Sequence, residues 1–304
     1  MSGPVVVLAG GTGGAKLARG MLDVVGADDL VVVANTGDDA EIYGGYVSPD
    51  PDLITFWLAD RIDERGWGLA GDTFSVMDGL RELGVEIWFN LGDRDLAVAI
   101  ERASALGRGL RLTEAQLGIG QALGVQARVL PMSDRPVRTR VMAGGRWWQF
   151  QEFMIKGGQQ VPVEAVDYRG AAASAPSPEV RQAIEHASAI VIGPSNPVIS
   201  IGPILAVPGI RESLASAPAP VVAVSPLVAG AVVKGPTEPF LRWAGQPLSS
   251  SGIAALYQGV IDGLVADQET DVVPVHLTDV LLADAGSRRR VAEETLSFAM
   301  SLGR

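Results

Sequence analysis

Residues 5–16 read VVVLAGGTGGAK, and this stretch decides the fold. Its first half is an apolar run of strand length, and its second half is a glycine-rich turn that opens an amphipathic helical stretch at 15–25. Glycines let a phosphate approach the backbone closely, and a helix start offers free N–H groups to an anion. The order of strand, glycine turn and helix therefore predicts a phosphate-binding loop at the first strand-to-helix junction.

The loop fits neither of the two common phosphate-binding patterns. Lys16 is followed by Leu17, so no GxxxxGK[ST] P-loop can be drawn. Lys16 also stands where the dinucleotide fingerprint GxGxxG has its third glycine, although Gly11 and Gly13 fit. The alternative is a plain glycine-rich turn, but the placement between strand and helix favours phosphate binding.

Apolar runs of strand length alternate with amphipathic helical stretches along the chain. The strand-like runs lie at 5–8, 30–33, 127–130, 189–192, 221–224 and 272–275. The helical stretches lie at 15–25, 53–65, 95–105, 113–123, 178–186 and 288–300. This alternation predicts a doubly wound, Rossmann-like α/β fold with a mainly parallel sheet. Ligands then bind at the carboxyl ends of the strands, near a topological switch.

One region breaks the alternation. Residues 139–143 and 146–150 flank a Gly144-Gly145 pair, which predicts a β-hairpin with a two-residue turn. Together with residues 161–168 the hairpin forms an antiparallel insertion, which we interpret as a small lid. We therefore divide the chain into an N-terminal part of the α/β domain (1–134), the insertion (135–175) and a C-terminal part (176–304).

The composition excludes several classes of function. The 304 residues include no cysteine and only two histidines, which excludes disulfides and thiolate metal sites and leaves little for a histidine zinc site. The chain carries 35 acidic and 24 basic residues, and the formal charge of −11 argues against a nucleic-acid partner. His186 and His276 are predicted to be structural, so no Ser-His-Asp triad is expected.

A membrane-bound protein is not expected. The uncharged stretch at 187–210 is long enough to imitate a membrane span, but its four prolines would leave carbonyls unpaired in lipid. The first residues lack the basic segment of a signal peptide. We therefore expect no membrane partner and a cytoplasmic location.

Acidic residues are concentrated after the second predicted strand. Residues 35–39 read NTGDD and residues 48–52 read SPDPD. Neighbouring carboxylates are costly to bring together without a cation, and Asp38, Asp39, Asp50 and Asp52 could jointly hold a divalent ion. The alternative is that these residues cap helices and form turns. The predicted phosphate loop favours the metal, because Mg²⁺ typically bridges carboxylates and phosphates.

Three further loops carry polar residues. In LGDRD at 91–95, which follows a predicted strand at 86–89, Arg94 offers a planar fork suited to phosphate or carboxylate. In GDTF at 71–74, Asp72 is predicted to cap the helix that follows. GPSNP at 193–197 directly follows a strand, and its Asn196 can both donate and accept hydrogen bonds. An acidic, metal-dependent site of this kind suits transfer of a phosphate-linked group.

Nine motifs in order carry a family resemblance. They are GGTGGAK at 10–16, NTGDD at 35–39, SPDPD at 48–52, GDTF at 71–74, LGDRDLA at 91–97, LPMSD at 130–134, FQEF at 150–153, GPSNPVISIGPIL at 193–205 and SPLVAG at 225–230. Together they resemble the 2-phospho-L-lactate transferase family, called CofD in archaea and FbiA in mycobacteria, which makes coenzyme F-420.

The resemblance implies a reaction. The terminal ribityl hydroxyl of the deazaflavin Fo attacks a guanosine diphosphate adduct of a three-carbon acid, GMP leaves, and a phosphodiester joins Fo to the acid. The acid is of the phospholactate, phosphoenolpyruvate or phosphoglycerate type. The resemblance also implies a requirement for Mg²⁺, a Rossmann-like fold and a homodimer.

The resemblance assigns roles to individual residues. Asp50 matches a position that contacts Fo near its reacting hydroxyl, which makes it a metal ligand and a general base, and Asp38 is the second metal ligand. Arg94 matches a basic contact in the Fo or phosphate region. The nucleotide and its phosphates are then contacted by Gly11, Thr12, Gly13, Gly14, Lys16, Asn35, Ser195 and Asn196.

Two other interpretations remain as alternatives. Proteins of the same fold that bind nucleotide sugars without catalysis follow their acidic pair with a GGSS pattern, whereas Asp38-Asp39 is followed by Ala40-Glu41. The second alternative, a nicotinamide dehydrogenase, is supported only by the imperfect glycine fingerprint. Where the family commonly reads SPDLDT and DRDLATH, this chain reads SPDPDL and DRDLAVA, which leaves the transferred acid open.

Overall fold

A computed structural model describes residues 3–303, in which strands and helices alternate. The strands are β1 (Val5–Ala9), β2 (Leu30–Ala34), β3 (Ala40–Ile42), β4 (Gly45–Val47), β5 (Arg128–Pro131), β6 (Arg138–Ala143), β7 (Arg146–Gln149), β8 (Val163–Arg169), β9 (Ala189–Ile192), β10 (Val221–Val224), β11 (Leu227–Val228), β12 (Ala231–Val232), β13 (Gly263–Ala266) and β14 (Val275–Leu277). The helices are α1 (Gly11–Val25), α2 (Pro49–Leu58), α3 (Ser75–Glu82), α4 (Asp93–Gly107), α5 (Leu112–Ala122), α6 (Phe150–Ile155), α7 (Pro178–Glu185), α8 (Gly202–Leu205), α9 (Ile210–Ala215), α10 (Thr237–Trp243), α11 (Ser250–Leu256) and α12 (Ala285–Leu302).

The central sheet has seven strands in the order β14-β13-β10-β9-β1-β2-β5, and every neighbouring pair is parallel. From β1 the chain winds towards β2 and β5, whereas from β9 it winds in the opposite direction towards β10, β13 and β14. The predicted doubly wound α/β fold is therefore confirmed. The winding reverses between β1 and β9, so a ligand crevice is expected at their carboxyl ends.

Side chains alternate along each strand, so the sheet buries one apolar layer on each face. In β1, Val6 and Leu8 belong to one layer, and Val5 and Val7 belong to the other. Helices α7, α9 and α11 cover the first layer, and α1, α2 and α12 cover the second. Among residues 3–303, no helix combines the length and the apolar character needed to cross a lipid bilayer.

The predicted antiparallel insertion is present as a three-stranded sheet in the order β7-β6-β8. Gly144 and Gly145 both have positive φ angles, +62° and +71°, as a type I′ hairpin turn requires. Phe150 and Phe153 of α6 pack with Ile199 in one apolar cluster. The insertion is thereby attached to the loop that follows β9.

One predicted strand is absent, and another begins later than expected. Residues 86–89 are not a strand, because the Trp88 and Phe89 N–H groups donate to the Tyr43 hydroxyl (3.1 and 3.2 Å) instead of to a neighbouring strand. The strand expected at 272–275 begins only at Val275, because the Val272 N–H donates to the Thr270 hydroxyl in a turn.

The starts of α3 and α4 exchange their capping carboxylates, which corrects the predicted role of Asp72. Asp72 accepts hydrogen bonds from the Arg94 and Asp95 N–H groups of α4, at 2.9 and 3.2 Å. Asp93 of α4 accepts from the N–H groups of Ser75 and Val76 of α3, at 3.1 and 3.0 Å. Because the two helix starts lie side by side, each carboxylate satisfies the free N–H groups of the other helix rather than its own.

Replacing Asp95 by asparagine is expected to stabilise the protein at about pH 8 and to change little near pH 4. Burial raises the pKa of the Asp95 carboxyl from 3.8 to about 7, and the negative charges of Asp72 and Asp52 contribute to the rise. The folded state therefore holds a proton that the unfolded chain releases above about pH 4, and stability falls as the pH rises from there through about 7. Thermal unfolding across this pH range measures the effect. An equal change in Tm at every pH would contradict it.

Candidate active site

A cavity of about 330 Å³ lies at the carboxyl ends of β1 and β9, where the winding of the sheet reverses. Its walls come from the glycine loop, the loop after β9, the segments after β10 and before α12, and helix α6. The cavity brings together eight of the predicted site residues: Gly11, Thr12, Gly13, Lys16, Asp38, Asp50, Ser195 and Asn196.

Asp50 lies in the first turn of α2 and is 5% exposed. Its Oδ1 accepts a hydrogen bond from the Gly11 N–H (2.7 Å), and its Oδ2 accepts from the Asn35 side-chain amide (2.8 Å). A Cβ on Gly10 would lie 2.7 Å from Asp50 Oδ2, so this approach requires glycine. The carboxylate is thus held against the glycine loop in one orientation.

Asp38 and Asp39 each have a buried carboxylate oxygen, Oδ1 and Oδ2 respectively, with no hydrogen-bond partner among the described residues. The other oxygen of Asp39 accepts from the Ser48 hydroxyl (2.7 Å). Burial is the main cause that raises the pKa of Asp38 well above its ordinary value, and Asp50 and Asp39 raise it further. A buried oxygen that lacks a donor beside a second carboxylate is a place that a cation would stabilise.

Burial also raises the pKa of the other two carboxyl groups. The pKa of Asp50 rises to about 6, because burial outweighs the hydrogen bonds from Gly11 and Asn35. The pKa of Asp39 rises to about 7, because burial outweighs the nearby Arg138 and the hydrogen bond from Ser48. Within residues 3–303 no three acidic or histidine side chains converge as a metal cluster. Asp38 and Asp50 still fit Mg²⁺, which usually takes one or two carboxylates together with water and substrate phosphate.

The glycine loop and the loop after β9 are in direct contact. A Cβ on Gly13 would lie 2.0 Å from the Pro194 carbonyl oxygen, and a Cβ on Gly14 would lie 2.7 Å from Ser195 Oγ. The Ser195 hydroxyl donates to the Gly10 carbonyl. Because the first-turn N–H groups of a helix have no partner within the helix, the start of α1 offers donors at the cavity wall.

Gly13→Ala is expected to destabilise the protein by about 1–3 kcal/mol or more and to weaken the nucleotide binding predicted for this loop. The added methyl group cannot coexist with the Pro194 carbonyl at 2.0 Å, so the two loops must separate. Urea unfolding and calorimetric titration with GDP measure both effects. Gly118→Ala in α5 is the matched control, since its Cβ would meet no atom within 4 Å. If both variants had the same stability and GDP affinity, the close approach of the two loops would be unimportant.

Asn196 and Asn35 use their side chains to hold the site together. Asn196 Oδ1 accepts from the Val198 and Ile199 N–H groups (2.9 and 3.2 Å), which fixes the loop after β9. Asn35 does not line the cavity, but it orients Asp50, and its Oδ1 accepts from the Gly37 N–H (2.7 Å).

Besides Asn35, two predicted site residues, Gly14 and Arg94, lie outside the cavity wall. Gly14 lies behind it, where its lack of a side chain lets Ser195 approach. Arg94 is exposed in the first turn of α4, and its guanidinium donates to the Ala70 carbonyl at 3.3 Å. Its assignment as a contact to Fo or phosphate stays a prediction.

Part of the wall consists of residues that were not predicted to belong to the site. Phe150 and Met154 of α6 reach the cavity from the insertion, and residues 280–282 line it from the segment before α12. Phe150 opens the FQEF motif, whereas Met154 and residues 280–282 carry no pattern that marks them in the sequence. Only the packing of the insertion and of α12 brings them to the sheet edge.

The fold and the cavity define an α/β protein whose candidate ligand site lies at a topological switch of the sheet. Comparison with known proteins gives its family. Residues 5–284 match the family described as CofD, 2-phospho-L-lactate transferase. The chain belongs to this family of transferases.

Named relatives cover nearly the whole chain. The 2-phospho-L-lactate transferase of Methanosarcina mazei is 39% identical over 265 residues, which is 87% of each chain. The phosphoenolpyruvate transferase of Streptomyces griseus is 39% identical over 313 residues, covering 95% of this chain and 98% of that one. A Bacillus halodurans protein of the UPF0052 family, at 17% identity and a TM-score of 0.61 over 97% of this chain and 99% of that one, shares the fold.

Proposed function

We propose that the protein transfers a phosphorylated three-carbon acid from its guanosine diphosphate adduct to the ribityl hydroxyl of the deazaflavin Fo. The hydroxyl oxygen attacks the phosphorus that carries the acid, the bond from this phosphorus to the GMP phosphate breaks, and the hydroxyl proton passes to the protein. The family membership and the names of the relatives support a transferase of this kind.

One observation of this structure carries the proposal. Asp38, whose buried Oδ1 has no hydrogen-bond partner among residues 3–303, lines a cavity together with Asp50 and the glycine loop at the start of α1. Carboxylates beside a helix start are suited to a metal–diphosphate ligand, because the helix binds the anion and the metal relieves the repulsion between like charges.

Asp50 is the group to which we assign removal of the hydroxyl proton. The Gly11 N–H and the Asn35 amide hold its two oxygens in place. Its pKa of about 6 leaves it ionised at neutral pH yet basic enough to accept a proton. Asp38 and Asp50 would together hold Mg²⁺. When bound, this ion would neutralise the carboxylates and stabilise charge that develops on the transferred phosphoryl group.

The remaining residues of the cavity position the donor. The start of α1, with Gly11, Thr12 and Gly13, would receive the nucleotide phosphates. Ser195 and Asn196 keep the opposite loop in register with it. We also propose that Arg94 contacts Fo or phosphate from the side of α4, and that the protein acts as a cytoplasmic homodimer.

The decisive experiment supplies the protein with Fo, Mg²⁺ and one guanosine diphosphate adduct at a time, carrying the phospholactate, phosphoenolpyruvate or phosphoglycerate type of acid. GMP and the phosphodiester product are followed by mass spectrometry. The relatives carry both phospholactate and phosphoenolpyruvate names, so the assay decides which acid this chain uses. Absence of product with all three adducts, with GDP still bound, would instead favour a binding protein of the same fold.

A further inference from the structure

Two cationic side chains line the cavity and a third, Arg288, lies behind the wall near the same Trp57 ring as Lys16, all on segments of the chain other than those that carry Asp38 and Asp50. Lys16 and Lys234 line the wall, and Lys16 Nζ donates to the Leu282 carbonyl at 3.0 Å. Lys16 Nζ lies 5.9 Å from the centre of the Trp57 ring, and the guanidinium carbon of Arg288 lies 5.1 Å from the same ring. Lys16 and Arg288 therefore lie near one aromatic ring, and Lys234 shares the cavity wall with Lys16.

These cations form no ion pair within salt-bridge distance among the described residues, although Arg288 lies close enough to the Asp284 carboxylate to lower its pKa. Within residues 3–303, none of Lys16, Lys234 and Arg288 forms a salt bridge, and the buried Nε of Arg288 has no hydrogen-bond acceptor. Asp284, the acid at the start of the same helix as Arg288, accepts from the Ser287 N–H (2.8 Å) as its helix cap. Burial, and then Arg288 and Lys234, lower the pKa of Lys16, so the charge of Lys16 is repelled by both of the other cations.

A close contact between α1 and α12 places Arg288 next to Lys16. A Cβ on Gly20 of α1 would lie 2.4 Å from the Arg288 carbonyl oxygen, so only glycine lets α12 approach α1 this closely. Lys16 is one turn before Gly20 and lies on the same face of α1. Arg288 is therefore fixed beside Lys16 by the backbones of both helices, and the cluster is part of the fold rather than a chance grouping of surface residues.

We propose that Lys16, Lys234 and Arg288 form an anion subsite, which binds a charged group of the donor while the start of α1 binds another. This inference rests on the proposed function. Lys16 is five residues beyond Gly11, which places it roughly 7–8 Å along the helix axis. The anionic group is either a nucleotide phosphate or the carboxylate of the three-carbon acid. Both are anions that a cluster of unpaired ammonium and guanidinium groups recognises.

The test measures the Kd of GDP and of phosphoenolpyruvate separately by calorimetry, with MgCl₂ and without Fo. The proteins are the wild type, Lys234→Gln and Arg288→Gln. Arg289→Gln is the matched control, because Arg289 is the next residue of α12 and pairs with Glu293 (2.8 Å). Removal of one charge-assisted hydrogen bond to the ligand is expected to weaken binding about tenfold or more. Weaker binding of GDP alone assigns the subsite to a nucleotide phosphate, and weaker binding of phosphoenolpyruvate alone assigns it to the part of the donor that carries the three-carbon acid.

Two results would overturn the subsite. One is that both variants bind both ligands as tightly as the wild type and the control, and the other is that the wild type binds neither ligand. Circular dichroism and Tm verify folding, and neither variant is expected to have a lower Tm, because each removes repulsion between like charges. If the two variants bind the ligands more weakly but the wild type forms no product, only the proposed function is contradicted. If the wild type forms product but the variants bind the ligands as tightly as it does, only the subsite is contradicted.

Discussion

Asp50→Asn is expected to lose about 10²–10⁴-fold in turnover, the range typical of a lost general base. Asparagine is close in shape and can still accept from the Gly11 N–H, whose bond to Asp50 Oδ1 is 2.7 Å long. The fold should therefore survive, while the negative charge that we propose binds the metal and the oxygen that we propose accepts the proton are both altered. Steady-state rates with the preferred adduct measure the loss, and Tm verifies the fold.

The control for this experiment is Asp28→Asn, because Asp28 is an exposed acid outside the cavity wall. It should retain wild-type turnover. If Asp50→Asn also retained near-normal turnover, Asp50 could be neither an essential base nor an essential metal ligand, and the role would pass to Asp38 or Asp39. Mg²⁺ titration of both variants separates the two functions, since a lost ligand raises the Mg²⁺ concentration required.

Arg102→Leu is expected to reduce the free energy of unfolding by about 3–5 kcal/mol, the usual result of leaving one partner of a buried ion pair alone. Arg102 of α4 is 0% exposed. Its guanidinium donates to Asp52, to the Gln116 side chain (3.0 Å) and to the Tyr46 carbonyl (3.0 Å). The variant would bury the Asp52 charge and two acceptors without a donor.

Urea unfolding measures this loss. Arg108→Leu, near the end of α4, is the control, because Arg108 forms an exposed pair with Glu101 (2.9 Å) that should contribute less than about 1 kcal/mol. Adding Asp52→Asn to Arg102→Leu should recover part of the loss, since no buried charge then remains. Equal stability of the Arg102 and Arg108 variants would show that the buried pair contributes little. Asp52 is two residues after Asp50, so this pair also anchors the helix that presents the Asp50 carboxylate to the cavity.

The sequence predicts the fold well where local pattern and tertiary structure agree. The strand-like runs at 5–8 and 189–192 are continuous apolar segments, which only a sheet covered on both faces can bury, and both lie in the parallel sheet. The prediction fails where a side chain that is distant in the sequence accepts the hydrogen bonds that backbone N–H groups would otherwise donate to a neighbouring strand. The Tyr43 hydroxyl accepts the N–H groups that residues 88 and 89 would use in a strand, and no local pattern reveals such a distant acceptor.

The candidate site was predictable to the extent that its residues lie in loops directly after strands. Gly11, Asp38 and Ser195 come together because the carboxyl ends of neighbouring parallel strands share one edge of the sheet. The positions of Met154 at the cavity wall and of Arg288 over the Trp57 ring could not be predicted. They depend on how α12 and the insertion pack against the sheet, and no spacing in the sequence encodes that packing.

The position of β1 inside the sheet has a consequence for how the chain acquires its structure. β1 pairs with β2 on one side and with β9 on the other, and Val5 lies opposite Ala189. A chain that emerges from the ribosome in order must therefore keep one side of its first, fully apolar strand unpaired until more than half of the protein has been made. Such late pairing slows folding and exposes a strand edge that can associate with other chains. Because the cavity lies across this same seam, its wall cannot be completed before the two halves of the sheet meet.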